Sequence, residues 1–134
     1  MMQVPAERGD AAVLEIMLTC GFDPNARDHD GVTVLHRASM AGRVEAVRAL
    51  LAHGAAVDPL DGMFAAPPLV WAAEGIGHAA PKGADYVAVA RVLIAAGSPT
   101  TWTPPEKAPD PEATQEALLE LCRAAGAREN AKPL

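Results

Sequence analysis

Aromatic, cysteine and basic residues are all scarce in this chain of 134 residues. Aromatic side chains make up 4% of the sequence, and 17 acidic residues outnumber 11 basic ones, for a formal net charge of −6. Phosphate contacts need clustered Lys and Arg, so this balance argues against a nucleic acid or an anionic membrane surface as the main partner. We therefore expect no nucleic-acid and no membrane partner.

The two cysteines, Cys20 and Cys122, are far apart in sequence and make neither a disulfide framework nor a metal-binding set. Residues 1–10 are polar, without the apolar region of a signal peptide, and no apolar run approaches the length of a membrane span. These absences predict a protein of a reducing, cytoplasmic compartment. Eight Arg against three Lys, together with 29 Ala, point to a small protein from a GC-rich bacterial genome.

Half of the residues are hydrophobic, enough to bury the core of one domain, and they follow a repeated pattern. Four apolar segments with helical spacing each end in a glycine. The glycines are 33, 43 and 29 residues apart, and each stands where a helix ends most easily in a left-handed residue. These positions are Gly21, Gly54, Gly97 and Gly126.

A short Ala-containing helix is predicted before the longer one in the two middle copies, near residues 33–39 and 67–73. The loops that lead into these short helices are rich in Asp, Asn, Pro and Gly, residues that favour turns. The repeated unit is therefore a loop, a short helix, a longer helix and a glycine.

This unit resembles an ankyrin repeat, whose pattern is T-P-L-H-x-A-A, then G-H, then an apolar helix and G-A-D-V-N. Residues 30–58 carry the pattern best, in Asp30-Gly31, Thr33, Leu35-His36, Ala38, Gly42, Leu50-Leu51, Gly54-Ala55 and Val57-Asp58. The resemblance covers roughly residues 7 to 126. It implies an all-α ankyrin-repeat solenoid of three to four helix-turn-helix units joined by hairpin-like loops.

The repeats place residues 1–134 in a single domain whose ends depart from the pattern. The predicted division is a partial repeat 1 at 1–29, repeat 2 at 30–62, repeat 3 at 63–102 with an insertion at about 74–84, capping repeat 4 at 103–128 and a tail at 129–134. Repeat 1 lacks T-P-L-H, so it is either a shortened cap or a piece of a longer polypeptide. Repeat 4 begins Thr103-Pro104 and continues as a poor helix. Its second helix should start at Asp110, with Pro111 in the first helical position.

No sequence motif of a catalytic, phosphate-binding or metal site is present, so we predict a protein without enzymatic activity, cofactor or metal. The resemblance implies that His36 is structural and hydrogen-bonds the loop and Thr33. His29 stands between Asp28 and Asp30 at a loop tip, where no further ligand completes a zinc site. Buried or half-buried free thiols are expected for both cysteines.

The ankyrin resemblance implies a concave binding face made of loop tips and the exposed side of the first helices. The candidate partner-binding residues are His29, Asp30, Val32, Met40, Ala41, Met63, Phe64, Glu74, Ile76, His78, Lys82 and Trp102. Exposed Met, Phe and Trp side chains are typical of binding hot spots. Two alternatives stay open: Phe64 and Trp102 fold back onto their loops, and the insertion is a tolerated surface loop without function.

The predicted function is non-catalytic protein–protein interaction on the concave face, by a chain that is itself a monomer. Six acidic and two basic residues in positions 1–31 favour a partner with a basic patch. The alternative is a regulatory or inhibitory ankyrin module that covers the site of an enzyme, in cis or in trans.

Overall fold

The structure is a computed structural model that describes residues 11–76, 84–106 and 110–126. The described residues form six helices: α1 Ala11–Thr19, α2 Val34–Met40, α3 Val44–Ala52, α4 Pro68–Ile76, α5 Tyr86–Ala95 and α6 Pro111–Ala124. Within these ranges the only β-type pairing is an isolated antiparallel bridge between Arg27 and Thr33. The predicted all-α architecture of paired helices is confirmed.

Side-chain caps fix where three of the helices begin. The Thr33 side chain accepts from the His36 amide, and the His36 ring accepts in return from the Thr33 amide, a capping box at the start of α2. Asp110 caps α6 by accepting from the Ala113 amide at 3.2 Å, with Pro111 in the first turn. The predicted start of α6 is therefore confirmed.

Each of the four repeat-ending glycines adopts the left-handed backbone conformation that the sequence pattern predicts. Gly54 follows α3 with φ of 94°, and Gly97 follows α5 with φ of 108°. Nothing lies within 4 Å of a Cβ built on either residue, so backbone conformation alone selects glycine there. Gly21 and Gly126 repeat this arrangement after α1 and α6.

The helices stack in two layers. In one layer α2 packs on α4, and in the other α1, α3 and α5 follow one another. Leucines that are at most 2% exposed join the layers into one core: Leu14, Leu35, Leu50, Leu69, Leu93, Leu118 and Leu121. The apolar segments with helical spacing therefore face the core, where Leu50 is fully buried.

The fourth unit covers the C-terminal end of both layers with a single helix. Residues 99–106 contain no helix, as the prolines after Thr103 predict, and α6 contacts both α4 and α5. Leu118 and Leu121 of α6 are buried, whereas Glu116 and Glu120 are exposed. The outer side of α6 is thus largely polar, as a terminal repeat requires.

The start of the repeat 3 insertion is helical. α4 continues past the predicted short helix through Glu74 and Gly75 to Ile76. A Cβ on Gly75 would lie 2.2 Å from the Met40 carbonyl oxygen, so glycine permits a close approach of α4 to the end of α2. The Tyr86 hydroxyl donates to the same carbonyl at 2.9 Å. The predicted insertion residues 77–83 lie outside the described residues.

Candidate protein-interaction surface

The hairpin loop before α2 is organised by one carboxylate. Asp28 Oδ1 accepts from the amides of Asp30 and Val32 at 2.9 and 3.0 Å, and Oδ2 accepts from the Arg37 guanidinium at 3.1 Å. The Val32 amide above all, helped by Arg37 and the Asp30 amide, holds the pKa of Asp28 below its usual value. The ionised carboxylate therefore replaces the hydrogen bonds that a regular strand would supply.

The loop before α4 uses Asp61 in the same role, with four donors. Its Oδ2 accepts from the amides of Met63 and Phe64, both at 2.8 Å, and Oδ1 accepts from the Ala66 amide and Trp71 Nε1 at 2.9 and 3.1 Å. Asp61 is 3% exposed. Burial opposes its ionisation, but the four donors together outweigh burial and hold the pKa of Asp61 below its usual value.

The two loops are also joined to each other. The Gly62 amide donates to the Asp30 carbonyl at 2.8 Å, and a Cβ on Gly62 would lie 2.6 Å from that oxygen. Arg27 Nη1 donates to the carbonyls of Gly31 and Leu60, both at 2.8 Å. The loops therefore form one hydrogen-bonded unit rather than two independent tips.

This unit presents a mixed apolar and polar surface, which we call the tip surface and define as His29, Asp30, Leu60, Met63 and Phe64. Leu60 is 53% and Met63 46% exposed, and the His29 side chain is 90% exposed. Phe64 is half-buried against the core. Sequence reasoning missed Leu60, although an apolar residue inside a Pro-Leu-Asp-Gly turn could have signalled it.

The prediction of the binding face is wrong for two residues, which lie in the core. Val32 is fully buried: its carbonyl and amide are both bonded to Asp28, and neighbouring extended residues point to opposite sides. Trp102 is 9% exposed, and its Nε1 donates to the Ala65 carbonyl at 3.2 Å. For Trp102 the alternative of folding back onto a loop is the one observed.

The other predicted face residues lie further along the first helices. Met40 and Ala41 are half-buried at the end of α2. Glu74 is half-buried and accepts a hydrogen bond from the Thr114 hydroxyl of α6, so it faces the C-terminal cap. Ile76 is 47% exposed at the end of α4. His78 and Lys82 lie outside the described residues.

Comparison with known proteins identifies the repeated unit. The family model described as ankyrin repeats (3 copies) matches residues 2–101, about three quarters of the chain. The chain belongs to the ankyrin-repeat family. Ankyrin repeats are in general protein–protein interaction modules and are typically non-catalytic.

Curated relatives are similar in sequence to part of this ankyrin-repeat chain. It is 41% identical over 59 residues to potassium channel AKT1 of Oryza sativa subsp. indica, covering 44% of the chain and 6% of that protein. It is 44% identical over 64 residues to inversin of Danio rerio, covering 46% and 6%. Over 50 residues it is 40% identical to protein phosphatase 1 regulatory subunit 12A of Mus musculus, covering 37% and 5%. The chain therefore spans about a twentieth of the length of these relatives.

A solved structure supports the ankyrin assignment at the level of the fold. The crystal structure of the human ASB11 ankyrin repeat domain matches with a TM-score of 0.68 and 25% sequence identity. The match covers 89% of this chain and 52% of that one. The predicted ankyrin-repeat solenoid is confirmed, and the bacterial origin stays a prediction from composition.

The ankyrin histidine, His36, is fully buried and structural. Its Nε2 lies 2.8 Å from the Ala66 carbonyl, which can only accept, so Nε2 carries the proton and Nδ1 accepts from the Thr33 amide at 3.1 Å. The Trp71 ring packs edge-on at 5.1 Å between centroids. Burial holds the pKa of His36 below its usual value. Both ring nitrogens are occupied, so His36 has no free nitrogen for proton transfer to a substrate.

The described ranges offer no cluster for metal chemistry, since no group of three or more His, Cys, Asp or Glu within them could hold a metal ion. Cys122 is buried as expected, whereas Cys20 is exposed and corrects the expectation for that thiol. None of the six described helices has the length and apolar character needed to cross a membrane.

Proposed function

We propose that the chain binds another protein through its concave face, with the tip surface as the centre of the contact. The observation that carries this proposal is the joined pair of hairpin loops, which holds exposed Leu60 and Met63 beside exposed His29 on one anchored unit. Exposed apolar side chains at the centre of a polar rim are typical of protein-binding hot spots.

The anchoring of the loops supports binding because it lowers the entropy lost on association. Asp28, Asp61 and Arg27 already hold the loop backbone in place before a partner arrives. Immobilising a free side chain at an interface costs about 0.5–1.5 kcal/mol, and an ordered backbone leaves fewer groups to immobilise. The Met63 side chain can adapt its shape to a partner pocket.

Charge and compartment complete the proposal. The net charge of −6 and half-exposed Asp30 on the tip surface favour a partner with a basic patch. The chain acts as a monomer in the cytoplasm, in keeping with Cys20 and Cys122 being outside any disulfide. The alternative, a regulatory module that covers an enzyme's site, is supported by the name of one relative, a protein phosphatase regulatory subunit.

Affinity capture from the native host with matched variants tests the proposal. The wild-type chain, the double variant Leu60→Ser/Met63→Ser and the control Ile16→Ser are used as baits, and captured proteins are identified by mass spectrometry. Ile16 is 63% exposed on α1, away from the hairpin loops, so its variant removes a similar apolar surface elsewhere. We expect the control to capture the same partner as wild type and the tip variant to lose it.

The purified partner then decides between the two functions. Capture that survives the tip substitutions but disappears with Ile16→Ser would show that the tip surface is not the interface. If the captured partner is an enzyme, its turnover with and without the chain is measured. A fall in turnover that requires Leu60 and Met63 would favour the regulatory alternative.

A further inference from the structure

A second candidate surface lies at the C-terminal end of the stack, apart from the hairpin loops. A groove of about 560 Å³ runs between the loop after α5 and the outer side of α6. Its lining residues are Pro104, Pro111, Glu112, Gln115, Glu116 and Leu119. We call these six residues the α6 groove.

The floor of the α6 groove is apolar and its walls are fixed. Leu119 is 57% exposed in the middle of the 14-residue helix α6. Gln115 Nε2 donates to the Trp102 carbonyl at 2.7 Å, and the Trp102 ring is buried in the core. This contact ties α6 to the loop that carries Pro104, so the groove does not depend on a mobile side chain to stay open.

The rim of the α6 groove is negatively charged. Glu112 and Glu116 are one helical turn apart, and neither makes an ion pair with another residue in the described ranges. Arg123, the basic residue of α6, pairs with Glu120 at 3.2 Å. Among the residues that the structure describes, these two carboxylates therefore border the apolar floor without an ion-pair partner.

The charge and the size of the α6 groove determine which kind of ligand fits it. We propose that the α6 groove docks a short cationic segment of another protein in which Lys or Arg residues flank one apolar side chain. The apolar side chain packs on Leu119 between the prolines, and the flanking cations pair with Glu112 and Glu116. A nucleic acid is disfavoured because its phosphates would face these carboxylates. A symmetric dimer of this chain through the α6 groove would bring the same two carboxylates from both copies into one interface.

Amide chemical-shift mapping by NMR with a defined probe tests the proposal. The probe is an amide-capped peptide in which lysines flank a single leucine, and two matched peptides replace the lysines by glutamates or the leucine by serine. We expect shifts centred on Leu119 and the first two turns of α6 with the lysine–leucine peptide only. Glu112→Gln/Glu116→Gln and Leu119→Ser should each weaken binding about fivefold, the scale of two exposed ion pairs or one apolar contact.

The control is Met63→Ser, which changes the tip surface and should leave the peptide affinity unchanged. All four substituted side chains are exposed, so thermal melts should show the same fold in each variant. Shifts centred on the hairpin loops, equal binding of the glutamate peptide, or wild-type affinity in both groove variants would overturn the proposal. Concentration-dependent shifts at Leu119 without peptide would also overturn it, in favour of self-association.

Discussion

Repeats 2 and 3, each together with the hairpin loop that precedes its short helix, build the same loop and short helix from different side chains. In repeat 2 the anchor Asp28 pairs with Arg37, whereas in repeat 3 the anchor Asp61 accepts from the Trp71 indole. His36 at the start of α2 has Val70 as its counterpart in α4, and buried Ser39 has buried Ala73. Only the carboxylate and the apolar core positions are common to both repeats.

This difference shows which contacts the hairpin requires. In both loops the carboxylate accepts from main-chain amides, which are present whatever the side chains are. The side-chain donor that adds to these amides is interchangeable: a partly exposed guanidinium in one repeat and a buried indole in the other. The loop of repeat 3 holds one additional residue and includes Ala65 with φ of 50°, a left-handed conformation in a residue other than glycine.

The largest effect is expected from substitutions in the core that both repeats share. Leu50 and Leu93 are equivalent and both fully buried, so Leu50→Ala and Leu93→Ala should each lower the free energy of unfolding by about 2–5 kcal/mol. Urea unfolding followed by circular dichroism measures this loss. Leu119→Ala on the outer side of α6 is the control and should change it by less than about 0.5 kcal/mol. Equal melts for the core and control variants would contradict the helix phase.

Asp61 and Asp28 should differ in how much each contributes to the free energy of unfolding. Asp61→Ala removes four hydrogen bonds at a site that is 3% exposed and should cost about 3 kcal/mol, while Asp28→Ala, with a side chain 19% exposed, should cost about 1–2 kcal/mol. Hydrogen exchange should show the largest loss of protection at the Ala66 amide in the first variant and at Val32 in the second. An Asp28 variant as unstable as the Asp61 variant would remove the distinction between the repeats.

As the pH falls, the stability of repeat 2 should decrease before the carboxylates of Asp28 and Asp61 are protonated. The pKa of His36 is lowered by burial, so below about pH 6.5 the unfolded chain takes up a proton that the folded chain refuses, and stability falls as pH falls. The lowered pKa values of Asp28 and Asp61 give stability that is present above about pH 3.8 and lost at lower pH.

Urea melts between pH 7.5 and 4.5 measure the histidine contribution, at most about 1.4 kcal/mol per pH unit. His36→Val, which copies Val70 of repeat 3, should flatten the dependence above pH 4.5, whereas His29→Gln at an exposed side chain should leave it intact. A slope that survives in His36→Val but disappears in His29→Gln would place the titration at the loop tip.

The smallest expected effect is an increase in the free energy of unfolding. The Ser39 hydroxyl is fully buried and has no hydrogen-bond partner within the part of the chain that the structure describes. Ser39→Ala, which copies Ala73, should raise the free energy of unfolding by about 1 kcal/mol, since it removes a desolvated hydroxyl and adds a better helix former. The reciprocal Ala73→Ser should lower it by a similar amount. A loss in the first variant would show that the hydroxyl has a stabilising contact.

Much of the fold was predictable because repetition shows the same signal several times. The glycines at helix ends, the phase of Leu50 and the Asp110-Pro111 start of α6 all follow from local chemistry that does not depend on distant residues. The candidate surface was predictable only in part. Val32 and Trp102 were assigned to the face from their place in the repeat, but exposure depends on which side of an extended loop a side chain occupies.

The sequence by itself determined the all-α repeat, the glycines that end its helices and the absence of catalytic motifs, because periodicity and turn chemistry act over a few neighbouring residues. Only the tertiary structure decided that Arg27 bonds the carbonyl of Leu60, that Glu74 accepts from Thr114 and that Leu119 lies beside Glu112 and Glu116 in one groove. The first two contacts join residues more than thirty positions apart, and the groove forms where α6 packs beside the non-helical residues 99–106. Stacking creates them, and no local pattern encodes which side chains stacking leaves exposed.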